Sequence, residues 1–125
     1  MTMTVTFPGA QRVRADYEGL AIETDQNGTM PAPYDLFLAS LATCAGFYAL
    51  AFMQQRDIAT AGSQLTMDWR RDRASKRLES VDIRLQLPPD FPEKYRQAIV
   101  RAMDQCAVKR ALDDPPTIVT TVSEA

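Results

Sequence analysis

The chain has 125 residues, 14 Lys plus Arg against 16 Asp plus Glu, two cysteines and no histidine. That length suits one domain, 1–125. The net charge of −2 and a pI near 5.1 argue against a broadly basic, nucleic-acid-binding surface. Without histidine there is no Ser-His-Asp triad, no Cys-His dyad and no His-based zinc or haem site. Two cysteines cannot make a Cys₄ zinc or iron–sulfur site, and the acidic residues show no metal-loop spacing, so no metal is expected.

Met3, Val5 and Phe7 alternate with threonines and read as a half-buried strand. Met1 to Phe7 shows neither the basic region nor the apolar run of a signal peptide. The expected compartment is the cytoplasm, with both thiols reduced. After a turn at Pro8-Gly9, Val13, Ala15 and Tyr17 form a second strand, and Leu20 with Ile22 a third. Asp25 to Pro33, with Asn27-Gly28, is a loop.

Leu36 to Met53 then carries no charge. The run only just reaches membrane-spanning length, and six of its residues are Ala or Gly. It reads instead as a soluble helix from about Tyr34 to Gln55, buried nearly all round, with no membrane partner. Pro33 precedes it, and Asp35 lies in the first turn, where a negative charge suits the helix dipole.

Leu65, Met67 and Trp69, then Val81, Ile83, Leu85 and Leu87, alternate with polar residues. They predict two strands, each with one apolar face, with Trp69 in the core. The basic run Arg70, Arg71, Arg73, Lys76 and Arg77 between them reads as a solvated hairpin loop. Tyr95, Ile99, Ala102 and Cys106 recur at helical spacing, Pro115-Pro116 stops any helix, and Ile118, Thr120 and Val122 predict a last strand. Segregated strands and helices give an α+β fold with a mostly antiparallel sheet. A helix apolar on every side exceeds what one small sheet covers, and a homodimer burying it is the economical solution.

Cys44 falls in the long helix and Cys106 on the second apolar stripe, 62 residues apart. Composition and periodicity favour two inert core thiols, since free cysteine packs as a small hydrophobe. The alternative is a redox pair. In that reading one thiolate takes oxygen from a peroxide, the other thiol condenses with the sulfenic acid, and an external thiol reductant resets the disulfide without any cofactor. The attacking thiol then needs a positive neighbour or a helix N-terminus, and with no histidine an arginine is the expected activator.

Pro33-Tyr34-Asp35-Leu36-Phe37-Leu38-Ala39-Ser40-Leu41-Ala42-Thr43-Cys44 resembles the first-cysteine helix of the OsmC/Ohr family, which comprises osmotically inducible and organic hydroperoxide resistance proteins. Cys106-Ala107-Val108-Lys109-Arg110-Ala111-Leu112 resembles its second-cysteine segment, which usually begins Cys-Pro-Val. The resemblance implies an intertwined homodimer with active sites at the subunit interface. It also implies thiol-dependent reduction of organic hydroperoxides, with Cys44 peroxidatic and Cys106 resolving. Family members carry Glu directly after the helix-leading proline, paired to a catalytic arginine. Here Tyr34 stands in that place and Asp35 follows one position on, about 100° round the helix. Arg12 and Arg14 are the only arginines before the long helix. Ala107 replaces the proline that would break the chain and set Cys106 at a helix N-terminus. Tyr34, Phe47 and Tyr48 are candidates to line an apolar pocket, with plain packing the alternative. The competing functional reading is a non-catalytic dimer that binds a small apolar ligand or a partner.

Overall fold

The computed structural model describes all 125 residues. The chain is α+β and divides into two compact units, Met1–Ser40 and Leu41–Ala125. In the first, β1 (Thr4–Gly9), β2 (Arg12–Tyr17) and β3 (Leu20–Thr24) form an antiparallel sheet in that order. Glu18 and Gly19, both at positive φ (46° and 81°), join β2 to β3. Two left-handed residues match the right-handed twist of the flanking strands. The β1–β2 register shifts between Thr6 and Gly9, where Pro8 has no amide to donate.

The helix α1 (Pro33–Gln55) begins in this unit and continues into the second. Pro33 occupies its first position, where a missing amide costs nothing. The Asp35 carboxylate reaches back to accept the Ala32 amide at 3.0 Å, one half of a capping box. At the other end Asp57 adopts φ 54°, and the Ile58 amide donates to the Met53 carbonyl at 2.9 Å. This is a Schellman closure with aspartate in the usual glycine position.

In the second unit β4 (Gln64–Arg71) and β5 (Leu78–Gln86) pair antiparallel. Their register sets Leu65 opposite Leu85, Met67 opposite Ile83 and Trp69 opposite Val81, so the apolar residues share one face. The basic turn is solvated, with Arg70 paired to Glu79 at 3.0 Å and Asp72 accepting from the Ser75 amide at 2.7 Å. A 3-10 turn (Glu93–Tyr95) leads into α2 (Arg96–Met103), and α3 (Ala107–Asp113) follows. The core is built by Ala45, Ala49, Phe52 and Met53 of α1 with Ile99 and Met103 of α2. By length and composition α1 passes for a membrane span, but here it is a core helix.

Five expectations need correction. The sequence pattern suggested one sheet; the strands form two, of three and two strands. α1 is not buried all round. Thr43, Phe47, Leu50 and Gln54 make one exposed stripe, with Phe47 61% exposed. Trp69 is half exposed, because only two strands make this sheet and its edges are uncovered. No helix runs through Cys106. α2 ends at Met103, and Cys106 leaves helical geometry at ψ 123°. No strand forms over Ile118–Val122, and Ile118 and Val122 are exposed. Pro115 and Pro116 supply no amides, and nothing within this chain offers that segment a ladder.

Candidate active site

Cys44 is placed by the geometry of α1. Leu41, Ala45, Ala49 and Phe52 make the buried stripe, and successive 100° steps set Cys44 on the flank between it and the exposed stripe. The thiol is accordingly half-buried. Cys106 is 1% exposed and stands between α2 and α3. Its main chain opens α3, its carbonyl accepting from the Arg110 amide at 3.0 Å. Its Sγ accepts the Lys109 amide at 3.4 Å, as an N-cap side chain does. Two side-chain contacts span the break. Lys109 Nζ meets Asp104 at 2.7 Å, and Arg110 donates to Gln105.

Beside this break the two thiols act on each other. Both are free, and each shifts the other's ionisation. The Cys44 thiol is held below its ordinary value, first by the hydrogen bond from Cys106 and then, against the opposing effect of burial, by the amides of Val108 and Ala107. The Cys106 thiol is pushed up, chiefly by burial and then by its contact with Cys44. Two interacting groups lose protons in steps that belong to the pair, and the surroundings favour the anion on Cys44 over Cys106. The arrangement can therefore present a thiolate beside a neutral thiol donor, with α3 amides completing the anion's shell.

A cavity of about 960 Å³ lies next to the pair, within the range of small-molecule sites. Its walls include Leu41 and Ala45 of α1, Ile83 and Leu85 of β5, and Ile99 and Met103 of α2, and Cys106 also lines it. Cys44, Phe47 and Tyr48 do not line it. Phe47 and Tyr48 instead pack edge-on at 5.5 Å. The other sequence candidates lie in the first unit. Arg12 faces the buried Asp25 at 3.9 Å, Arg14 pairs with Asp16 at 2.9 Å, Asp35 caps α1, and Tyr34 packs on Phe37 with ring centroids 5.4 Å apart.

The sequence profile of OsmC-like proteins matches residues 25–121. The chain belongs to the OsmC-like family. No curated protein matches it. Its fold is similar to that of a Psychrobacter arcticus protein assigned to the osmotic stress and detoxification response (22% identity, TM-score 0.74, covering 89% of this chain and 87% of that one). It is also similar to an OsmC-like protein of Mycoplasma pneumoniae (14% identity, TM-score 0.72, covering 91% and 87%). A third similar structure is the organic hydroperoxide resistance protein OhrB of Bacillus subtilis (19% identity, TM-score 0.57, covering 92% and 93%).

Sequence reasoning missed the α3 amides and the cavity. Backbone donors leave no trace in residue identity, and Ala107 hides the break that proline would announce. One signal was available. Asp104 and Lys109 are opposite charges five apart, and Gln105 and Arg110 an acceptor and a donor at the same spacing, which a continuous helix does not bring together.

Proposed function

We propose that this OsmC-like protein is a cysteine-based peroxidase that reduces organic hydroperoxides. What carries the reading is the pair of interacting free thiols, with the member of lowered pKa, Cys44, on the half-buried flank of α1. Likeness to an organic hydroperoxide resistance protein supports the substrate class. The Cys44 thiolate attacks the terminal oxygen of ROOH. The O–O bond breaks, the alkoxide takes a proton and leaves as ROH, and Cys44 becomes a sulfenic acid. Cys106 then attacks the Cys44 sulfur, the hydroxyl leaves as water with the Cys106 proton, and a disulfide forms. Two thiols of an external reductant return the pair to its starting state.

In this reading Cys44 is activated by a thiol and two amides, while Arg12, Arg14 and Asp35 serve the partners described above. The active unit is a cytoplasmic homodimer of a single 1–125 domain. The exposed stripe of α1 supports the dimer, and the family match across both units supports the domain. The cavity also favours a second reading, a non-catalytic binder of a small apolar ligand. Native mass spectrometry would reveal such a ligand.

The test exposes reduced protein to cumene hydroperoxide and follows peroxide loss, free thiols and intact mass. Wild type should consume peroxide and form the Cys44–Cys106 disulfide, and Cys44→Ser should do neither. Equal consumption by the two proteins would reject the peroxidase reading.

A further inference from the structure

The sequence holds a single asparagine, Asn27, and a glycine follows it. The two lie in the loop that joins β3 to α1, with Asn27, Gly28 and Thr29 all exposed. The loop is tied to the carboxylate of Asp25, a residue only 2% exposed. That carboxylate accepts the Asn27 main-chain amide at 2.9 Å and the Thr29 hydroxyl at 3.1 Å. The Asn27 side chain is turned toward residue 29. Its Oδ1 accepts the Thr29 amide at 3.1 Å and lies 2.9 Å from the Thr29 hydroxyl, which shares its one proton between Asn27 and Asp25. Two donors therefore polarise the Asn27 side-chain carbonyl. The Gly28 amide donates to no group of the protein, and the space where a side chain would stand at Gly28 is open.

We propose that Asn27 is a site of spontaneous self-modification, in which the Gly28 nitrogen attacks Asn27 Cγ and the two Thr29 donors stabilise the charge that develops on Oδ1. Hydroxide takes the Gly28 amide proton, the N–Cγ bond forms, and negative charge passes to Oδ1, where fixed donors act most strongly. The charge returns to remake the carbonyl, the Cγ–Nδ2 bond breaks, and Nδ2 leaves as ammonia with a proton from water. A five-membered succinimide remains. Water opens it at the main-chain carbonyl to give isoaspartate, or at the side-chain carbonyl to give aspartate, and nothing is oxidised or reduced. Asparagine is among the heat-labile residues, and glycine puts no Cβ in the path of ring closure. Isoaspartate adds a methylene to the main chain between positions 27 and 28, and either product sets a new carboxylate near Asp25. Both changes loosen the ties on Asp25, so the aged loop holds the start of α1 less firmly. The thiols take no part, and this inference is independent of the peroxidase reading.

The test keeps full-length protein in warm, mildly alkaline buffer for several weeks and follows intact mass, released ammonia and peptides. Wild type should gain one mass unit and release ammonia in equal amount, with the change mapped to the peptide that carries residue 27. An isoaspartyl methyltransferase with labelled S-adenosylmethionine should mark the product. The rate should rise with pH, because the attacking nitrogen must lose its proton. Thr29→Val should slow the change by about fivefold, the weight of one ordinary hydrogen bond, while Thr29→Ser, which keeps the hydroxyl, should age as wild type does. Asn27→Gln should gain no mass and hold its thermal midpoint while that of wild type falls. A constant wild-type mass, or Thr29→Val ageing as fast as wild type or faster, would overturn the proposal. An unchanged midpoint in fully aged wild type would overturn the link to Asp25.

Discussion

At the scale of single residues, the chemistry depends on one asymmetry between two like side chains. Cys44 and Cys106 are the same residue type in mutual contact, yet one is favoured as anion and the other as neutral donor. The Cys106 S–H is the largest influence lowering Cys44. Cys106→Ala removes it and should raise the Cys44 pKa. A group with a lowered pKa stays ionised until the pH falls through that value, so the variant's alkylation profile should move to higher pH. Ultraviolet thiolate absorbance and iodoacetamide rates across pH would show the move, and an unchanged profile would refute the role given to Cys106. Composition and periodicity alone favoured two inert core thiols, and only the resemblance of the two cysteine segments pointed to a pair. An arginine beside Cys44 was the expectation, whereas the groups that lower its pKa are a thiol and main-chain amides.

At the scale of elements, α1 and the strands of both sheets were legible because their signals are local: an uncharged run behind proline, and alternation between turns. The break before α3 was not, because the apolar stripe continues through Cys106 while the change of direction lies in the main chain. The geometry nevertheless suits the residue that this sequence lacks. Cys106, at φ −47° and ψ 123°, already holds the extended conformation that a following proline demands, and Ala107 is the first residue of α3. Ala107→Pro should therefore stabilise the protein by about 0.4–1 kcal/mol, read as a higher thermal midpoint. It also deletes one amide that lowers Cys44, so the Cys44 pKa should rise while stability improves. A loss of stability would show that the amide matters more to the fold than to the thiol.

At the scale of the whole molecule, much apolar surface faces water: Phe7 on β1, Phe47 and Leu50 on α1, and Ile118, Val119 and Val122 near the C-terminus. A period-2 pattern such as 118–122 announces a strand, but a strand exists only where another strand supplies its ladder. That is why this element could be anticipated from sequence and is absent from the isolated chain. If a second copy covers α1, Phe47→Glu should weaken association by roughly 2 kcal/mol, as loss of a buried aromatic anchor does. Sedimentation of wild type and variant would then differ, and identical behaviour as single chains would refute the dimer.

The sulfur that caps α3 has two engagements that compete. Cys106 Sγ receives the Lys109 amide; in the disulfide that the proposed cycle forms, it would be a poorer acceptor. In the proposed cycle, oxidation would remove this acceptor from the first turn of α3, and the free energy of that contact would count against the disulfide. By linkage, a contact present only in the reduced state raises the reduction potential. In that cycle the helix cap would act as a spring that keeps the disulfide easy to open.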